Sequence, residues 1–336
     1  MTRISFAEGR DGQPEALERI ARTMSVAVPR ATRPLFCGIG ASFASLAVPV
    51  HLLRGHGIAA HRVLASEVVE HPGAFGADLL IGVSQSGRSA ETLAAFEVFP
   101  GFKTAIVNVS PSPLTEIADS AVSLGDEPDS FASTVGYTGT IVALDLIAAA
   151  ISGTPDAARK WDDIAALVTA TRESFHVPSR AATCVAADLV ASGASRASAE
   201  ETALLLREVP RLPATASATR NYLHGEMESA GNTLHVIFGD GREIELAQTL
   251  ARAGHLTVLV TAHGVPAESG LEVLRLPETE PAVRAVLEAV VAQELAAALA
   301  DHRRVPVESF VFANNDTKAG GLDPADFAIQ SAGAVA

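Results

Sequence analysis

An α/β protein built on parallel sheets is what this sequence predicts, and three observations carry the prediction. Strand-length apolar runs alternate with longer Ala- and Leu-rich stretches of helical period, the pattern of a sheet covered by helices. Apolar residues make up 48% of the chain and aromatic ones only 5%, so the core is aliphatic. The order of strand, loop and helix recurs about 155 residues further on, which makes duplication of one unit the simplest account of 336 residues.

Leu35-Phe36-Cys37-Gly38 reads as a strand ending in a glycine turn, followed by a helix from about Ser42 to Leu53. Ala77 to Val83 is a second strand and Thr104 to Val109 a third. Between them, Ser89 to Phe99 carries helix-spaced apolar residues behind a turn rich in Ser and Gly. The repeat lays Gly38-Ile39-Gly40-Ala41-Ser42 against Gly193-Ala194-Ser195-Arg196-Ala197, Leu80 to Gly87 against Val236 to Gly241, and the helix from Leu93 against the one from Leu246. The join falls at Gly153-Thr154-Pro155, before a polar helix from about Asp156 to Ser174 that His176-Val177-Pro178 ends. These landmarks predict a first domain over 1–155, a linker helix over 156–178, a second domain over 179–310 and a C-terminal tail over 311–336 that packs back or orders on ligand.

The charge balance narrows the partners. With 25 basic and 39 acidic side chains the net charge is −14, and no Lys/Arg cluster interrupts the acidity, which argues against nucleic acid. One or two phosphates can still be held by backbone N–H and hydroxyl donors. Cys37 and Cys184 sit in apolar stretches and read as buried hydrophobes, not a disulfide. The opening Met1-Thr2-Arg3-Ile4 lacks the apolar core of a signal peptide, and no 18-residue apolar run is expected later, which predicts a soluble cytoplasmic protein with no membrane partner. None of the ten histidines has a second ligand at helical metal-binding spacing, so neither metal nor cofactor is expected.

Ser84-Gln85-Ser86-Gly87-Arg88-Ser89 lies directly after an apolar strand and directly before a helix. Such a loop aims backbone N–H groups and the positive end of a helix dipole at one point, and its hydroxyls add rotatable donors, which suits a phosphate. The same residues also suffice to cap the helix and make the turn. Gly38-Ile39-Gly40-Ala41-Ser42 is half a dinucleotide fingerprint without the third glycine or a ribose-binding acid. It reads either as a tight turn capped by Ser42 or as a second donor to the same ligand. In an open parallel sheet both loops lie at the carboxyl ends of strands, where crevices form. Glu208 ends a helix-like run from Glu201, the pair His224-Gly225 follows sixteen residues later, and Lys318 stands in Asn314-Asn315-Asp316-Thr317-Lys318. Alone, Glu208 reads as an exposed helix glutamate, His224 as a loop histidine satisfied by backbone and Lys318 as a surface lysine in a mobile tail.

Together these residues resemble a known family. On Gln13-Pro14-Glu15-Ala16-Leu17, Gly38 to Ser42, Ala65-Ser66-Glu67, Ser84 to Thr92, Ala132-Ser133-Thr134, Glu201 to Glu208, His224-Gly225 and Lys318, nearly the whole chain resembles the sugar isomerase (SIS) domain proteins. It is most similar to the tandem-SIS isomerase half of glutamine-dependent glucosamine-6-phosphate synthase. The resemblance implies two tandem SIS domains, each a doubly wound, flavodoxin-like parallel sheet flanked by helices. It implies that Ser42, Ser84, Gln85, Ser86 and Ser89 hold a sugar 6-phosphate and that Ser133 lies near the sugar hydroxyls. Glu208 matches the carboxylate that moves a proton between C1 and C2. His224 matches the ring-opening histidine, which reaches the partner's active site in a homodimer. Lys318 matches the C-terminal lysine that attaches to the open-chain sugar at C2, in a tail over the active site.

The second repeat carries Gly239-Asp240-Gly241 in place of the serine loop, and its carboxylate repels phosphate, so one phosphate site per chain is expected. Two departures from the family pattern are Leu205 in place of a lysine and Ala41 in place of a threonine. No glutaminase region precedes the resemblance, which implies a chain that makes no ammonia from glutamine. The implied function is a phosphosugar isomerase or deaminase acting on a hexose 6-phosphate, an amino sugar of the glucosamine-6-phosphate type, by ring opening and C1/C2 proton transfer. The alternatives are a non-catalytic phosphosugar-binding regulator and a ketosamine-6-phosphate deglycase.

Overall fold

The computed structural model describes residues 2–266, 268–308, 311–312, 314–322 and 329. Of the expected tail over 311–336, residues 313, 323–328 and 330–336 lie outside these residues, as do 309 and 310 before it. The chain forms two compact units, one of Met1–Ala165 with Glu308–Ala336 and one of Ala166–Val307.

In the first unit five parallel strands, β1 (Pro34–Gly38), β2 (His61–Leu64), β3 (Leu79–Val83), β4 (Phe102–Val107) and β5 (Ser120–Ser123), stand in the order β2-β1-β3-β4-β5. β1 and β3 are buried along their whole length, which is why they read as continuous apolar runs. β2 and β5 lie at the edges and keep exposed or half-buried polar residues, so the sequence shows no apolar run for either. Leu35, Leu80, Phe96, Phe99, Val107 and Leu114 pack as one core between the sheet and the helix Ala90–Val98. Each such side chain contributes about 1.5–3 kcal/mol on burial. Cys37 belongs to this core, and burial pushes its thiol up to about 12, which makes it inert.

Three expectations are corrected here. The helix expected over Ser42 to Leu53 is two, Ala41–Ser45 and Ala47–Gly55, separated at Leu46. Pro49 has no N–H for the Ser45 carbonyl, and its ring crowds that carbonyl. The helix Val135–Ser152 is 18 residues long with a mean hydropathy of 1.6, although no such stretch was expected. Thr138, Thr140 and Asp145 interrupt it in the sequence, and 78% of it is buried, packed on the helices Gln13–Thr23 and Ala47–Gly55 as a core helix. The polar helix expected over Asp156 to Ser174 is a 3₁₀ turn, Ala157–Trp161, and a helix, Ile164–Ser174. Asp145 divides it: Trp161 Nε1 donates to Asp145 Oδ2 at 2.9 Å and Lys160 Nζ to Oδ1 at 3.1 Å, which draws the indole into the first unit's core.

The second unit has β6 (Ala186–Ala191), β7 (Ala214–Ala218), β8 (Thr233–Phe238), β9 (Thr257–Thr261) and β10 (Leu271–Arg275), parallel in the order β10-β9-β8-β6-β7. Numbered within their own unit, the strands of both sheets run 2-1-3-4-5. The repeat seen in the sequence therefore pairs β1 with β6, β3 with β8, and the helix Ala90–Val98 with Arg242–Arg252. Val190, Tyr222, Ile237, Leu246, Leu250 and Leu259 form a core in this unit.

Candidate functional site

In a sheet of order 2-1-3-4-5 the winding reverses between the first and third strands, and ligands bind outside the carboxyl ends of the strands at that point. In the first unit those ends are the residues after β1 and the residues after β3. Gly40, at φ +60°, turns the chain out of β1 into the short helix Ala41–Ser45. Ser42 lies half-buried in its first turn, and its carbonyl accepts Ser45 Oγ at 2.7 Å.

The loop after β3 is braced from within. Ser84 is buried at 1% exposure; its Oγ donates to Ser89 Oγ at 2.9 Å and accepts the Ser89 N–H at 3.3 Å. Gly87 takes φ +63°, and a Cβ there would collide with Ser112 Oγ, so the tight turn needs glycine. Ser89 is the N-cap residue of the helix Ala90–Val98, and Ser86 Oγ accepts the Arg88 N–H at 3.3 Å. Ser86 and Ser89 are half-buried beside the positive end of that helix.

Gln85 points to a residue that sequence reasoning missed. Its Nε2 donates to Asp129 Oδ2, which also accepts Ser133 Oγ at 2.7 Å and the Gly136 N–H at 3.1 Å. The other carboxylate oxygen accepts the Thr134 N–H at 2.8 Å and Thr134 Oγ1 at 2.7 Å. Asp129 is wholly buried, and five donors compensate for its desolvation while capping the helix Val135–Ser152. Gly136 has to be glycine, since a Cβ would collide with the Gln85 amide. The signal available in the sequence was an Asp followed by Ser, Ser and Thr just before a long apolar helix.

The C-terminal segment of the first unit also reaches this loop. Lys318 forms an antiparallel bridge with Ser89, and its Nζ donates to Ser86 Oγ at 3.5 Å. Lys318 and the serine loop are thus brought together.

Glu208 and His224 belong to the second unit. Glu208 is the last residue of the helix Arg196–Glu208, half-buried, and its carboxylate has no hydrogen-bond partner among the described residues. Burial pushes this carboxyl up to about 7, and the helix C-terminus disfavours negative charge there as well. A carboxyl so tuned can accept and return a proton near neutral pH. His224 is exposed in the turn after the helix Thr219–Tyr222; its backbone N–H donates to the Asn221 carbonyl at 2.9 Å, and Gly225 at φ +135° turns the chain. No hydrogen bond joins His224 to Glu208 among the described residues. Leu205, where the family pattern has lysine, is core at 1% exposure.

The loops after β6 and β8 are occupied by the chain's own carboxylates. Asp240 Oδ1 accepts Thr261 Oγ1 at 2.7 Å and the Ala262 N–H at 2.6 Å, with Arg284 Nη2 at 3.6 Å. Burial opposes its charge, but these partners hold its carboxyl below the ordinary aspartate range. Buried Glu243 accepts Ser192 Oγ at 2.8 Å and also Thr219 Oγ1. Glu288, wholly buried, accepts Ser195 Oγ at 3.0 Å, Ser198 Oγ at 2.7 Å and Arg284 Nε at 2.9 Å. The hydroxyls of Ser192, Ser195, Ser198 and Thr219 near these strand ends are thus engaged by Glu243 and Glu288. Among the described residues no group of three His, Cys, Asp or Glu side chains stands together as a metal site would require.

No family model matches the chain. The isomerizing glutamine–fructose-6-phosphate aminotransferase of Aeropyrum pernix is 29% identical to it over 283 residues, which cover 75% of this chain and 45% of that protein. The chain therefore spans less than half the length of this curated relative. Among solved structures, the C-terminal domain of glucosamine-fructose-6-phosphate aminotransferase from Francisella tularensis matches with a TM-score of 0.79 at 19% identity, covering 89% of this chain and 96% of that one. Tagatose-6-phosphate ketose/aldose isomerase from Escherichia coli gives 0.72 at 19%, covering 88% and 92%. Glucosamine-6-phosphate deaminase from Thermotoga maritima gives 0.71 at 17%, covering 89% and 94%. In sequence and in fold, the chain resembles the SIS-domain phosphosugar isomerases, the isomerase half of the glutamine-dependent aminotransferase among them.

Proposed function

We propose that the protein is a phosphosugar isomerase or deaminase whose substrate is a hexose 6-phosphate, an amino sugar of the glucosamine-6-phosphate type. The observation that carries this reading is the loop after β3. Three serines and a glutamine stand at a helix N-terminus beside the winding reversal, with Lys318 Nζ 3.5 Å from Ser86 Oγ. A chain of net charge −14 gathers there hydroxyls, a helix dipole and the cationic side chains of Arg88 and Lys318, all of which suit a phosphate.

In this reading Ser86, Ser89 and the loop backbone hold the phosphate, Ser84 and Gln85 keep the loop in shape, Ser42 adds a donor from the other side of the reversal, and Ser133 lies near the sugar hydroxyls. His224 takes the anomeric proton and returns one to the ring oxygen, which frees the carbonyl. Glu208 removes the C2 proton and delivers it to C1 through an enediol-type intermediate. In the deaminase version glucosamine 6-phosphate and water give fructose 6-phosphate and ammonia, and the same proton shift comes first. Lys318, when neutral, can condense with the C2 carbonyl of the open-chain ketose phosphate, losing water to form an imine. The two units are read as tandem flavodoxin-like SIS domains, and the protein as a soluble cytoplasmic homodimer in which His224 serves the partner's site.

The test is incubation with glucosamine 6-phosphate, other hexose 6-phosphates and ketosamine 6-phosphates, following ammonia and ketose phosphate together. Turnover that Glu208→Gln removes is the expected result. Saturable sugar-phosphate binding without turnover of any of them would replace the enzyme with a phosphosugar-binding regulator, and turnover confined to ketosamine phosphates would make it a deglycase.

A further inference from the structure

Arg88 lies inside the serine loop, yet the roles above give it no part beyond its charge. Its guanidinium is committed to the polypeptide that returns from the C-terminal region. Nε and Nη2 donate to the Ala319 carbonyl at 3.2 and 3.1 Å, and Nη2 donates to the Gly321 carbonyl at 2.8 Å. The Ala319 N–H donates in turn to the Arg88 carbonyl at 2.8 Å, next to the antiparallel bridge between Ser89 and Lys318. Gly320 at φ +79° and Gly321 at φ +76° turn the segment so that the carbonyls of 319 and 321 face one guanidinium. A planar fork of N–H donors can satisfy two carbonyls at fixed separation, whereas an ammonium is a point charge on a flexible stem.

The segment so held begins with Lys318. The amine contacts Ser86 Oγ at 3.5 Å, at the outer limit of a hydrogen bond. The bonds to Arg88 and the bridge to Ser89 tie this segment to the serine loop, and the Gly321 N–H donates to the Lys318 carbonyl at 2.9 Å within it. We infer that Arg88 is a positioning residue that clamps residues 318–321 onto the serine loop and thereby delivers the Lys318 amine to the bound sugar phosphate. The delivery rests on the sugar-phosphate reading of that loop; the clamp rests on the geometry alone.

Limited digestion with trypsin reads the clamp directly, because Lys318–Ala319 is itself a tryptic bond. In the full-length protein the peptide beginning at Ala319 should appear slowly. Arg88→Ala should release it about ten-fold faster or more, the expected effect of losing charge-assisted hydrogen bonds. Arg88→Lys, which keeps the charge and most of the stem and so guards against misfolding, should release it nearly as fast. Thermal melts of both variants should stay near the wild type. In turnover, Arg88→Ala should change the same parameter, kcat or KM, that Lys318→Ala changes. The double variant should be no worse than Lys318→Ala alone, since both remove one delivered amine. Unchanged release of the Ala319 peptide in both arginine variants would overturn the clamp. Faster release with normal turnover, or defects that multiply in the double variant, would overturn the delivery. A wild type that converts no sugar phosphate would refute the proposed function instead, while the digestion rate, which needs no substrate, would still judge the clamp.

Discussion

Ser133 Oγ donates to Asp129 Oδ2 at 2.7 Å, and the same oxygen accepts the Gln85 amide from the loop after β3. One buried carboxylate therefore ties the serine loop to the start of the helix Val135–Ser152. Ser133, expected near the sugar hydroxyls, has its proton engaged with Asp129, so towards a sugar its oxygen can act as an acceptor. Asp129→Ala would strand the Thr134 and Gly136 N–H groups, the Gln85 amide and two hydroxyls. We expect a loss of about 3 kcal/mol or more in denaturant unfolding, together with a raised KM from a loosened loop. A loss below about 1 kcal/mol would mean that water replaces the carboxylate.

Glu208→Gln should abolish turnover and leave sugar-phosphate binding largely intact, because the amide cannot accept the proton. Binding measured by calorimetry against turnover by coupled assay separates the two. Retained turnover would remove Glu208 from the mechanism.

The same substitution should stabilise the protein at alkaline pH. Burial raises the folded-state value of Glu208 from the ordinary 4.5 to about 7, so the folded state binds this proton more tightly than the unfolded one. The resulting cost is absent below the ordinary value, grows as pH rises between the two values, and is complete above about 7. Glu208→Gln should therefore gain on the order of 1–3 kcal/mol above neutrality and nothing in acid. A gain of equal size at both ends would trace to packing instead of charge.

The activity should follow the base form of Glu208. As pH rises, kcat/KM should climb along a limb centred near 7. A limb centred near the ordinary carboxylate value would show that Glu208 is not buried in the working enzyme.

Ser86→Ala should mainly raise KM for a phosphorylated substrate, by roughly ten-fold for one lost hydrogen bond to a charged group. Ser84→Ala should also lower thermal stability, since the Ser84 hydroxyl braces Ser89 at 2.9 Å. An unchanged KM in Ser86→Ala would count against the phosphate loop.

Each chain should bind one phosphate. In the second unit Asp240, Glu243 and Glu288 already take the nearby donors, so equilibrium dialysis with a labelled sugar phosphate should saturate at one per chain. Two per chain would show that these carboxylates give way.

Much of this was legible in the sequence, for a local reason. β1 and β3 are central strands of a parallel sheet, where burial on both faces favours unbroken apolar runs, β4 and β8 are central strands with shorter apolar stretches, and the serine loop is a contiguous signal between β3 and a helix. The edge strands β2 and β5 left no such mark, because one side of each is open to water. Nor did the breaks at Leu46 and after Trp161, which a proline ring and the carboxylate of Asp145 impose.

Residue types and their neighbours thus determined the α/β class, the repeat and the loop suited to phosphate. Only the tertiary structure decided what each polar group does. Gln85 meets Asp129 from 44 positions away and Lys318 meets Ser86 from 232, and neither pairing has a local signature. The value near 7 at Glu208 has the same origin, since the cost of charge depends on how much water the fold removes around the carboxyl, and the sequence does not carry that quantity.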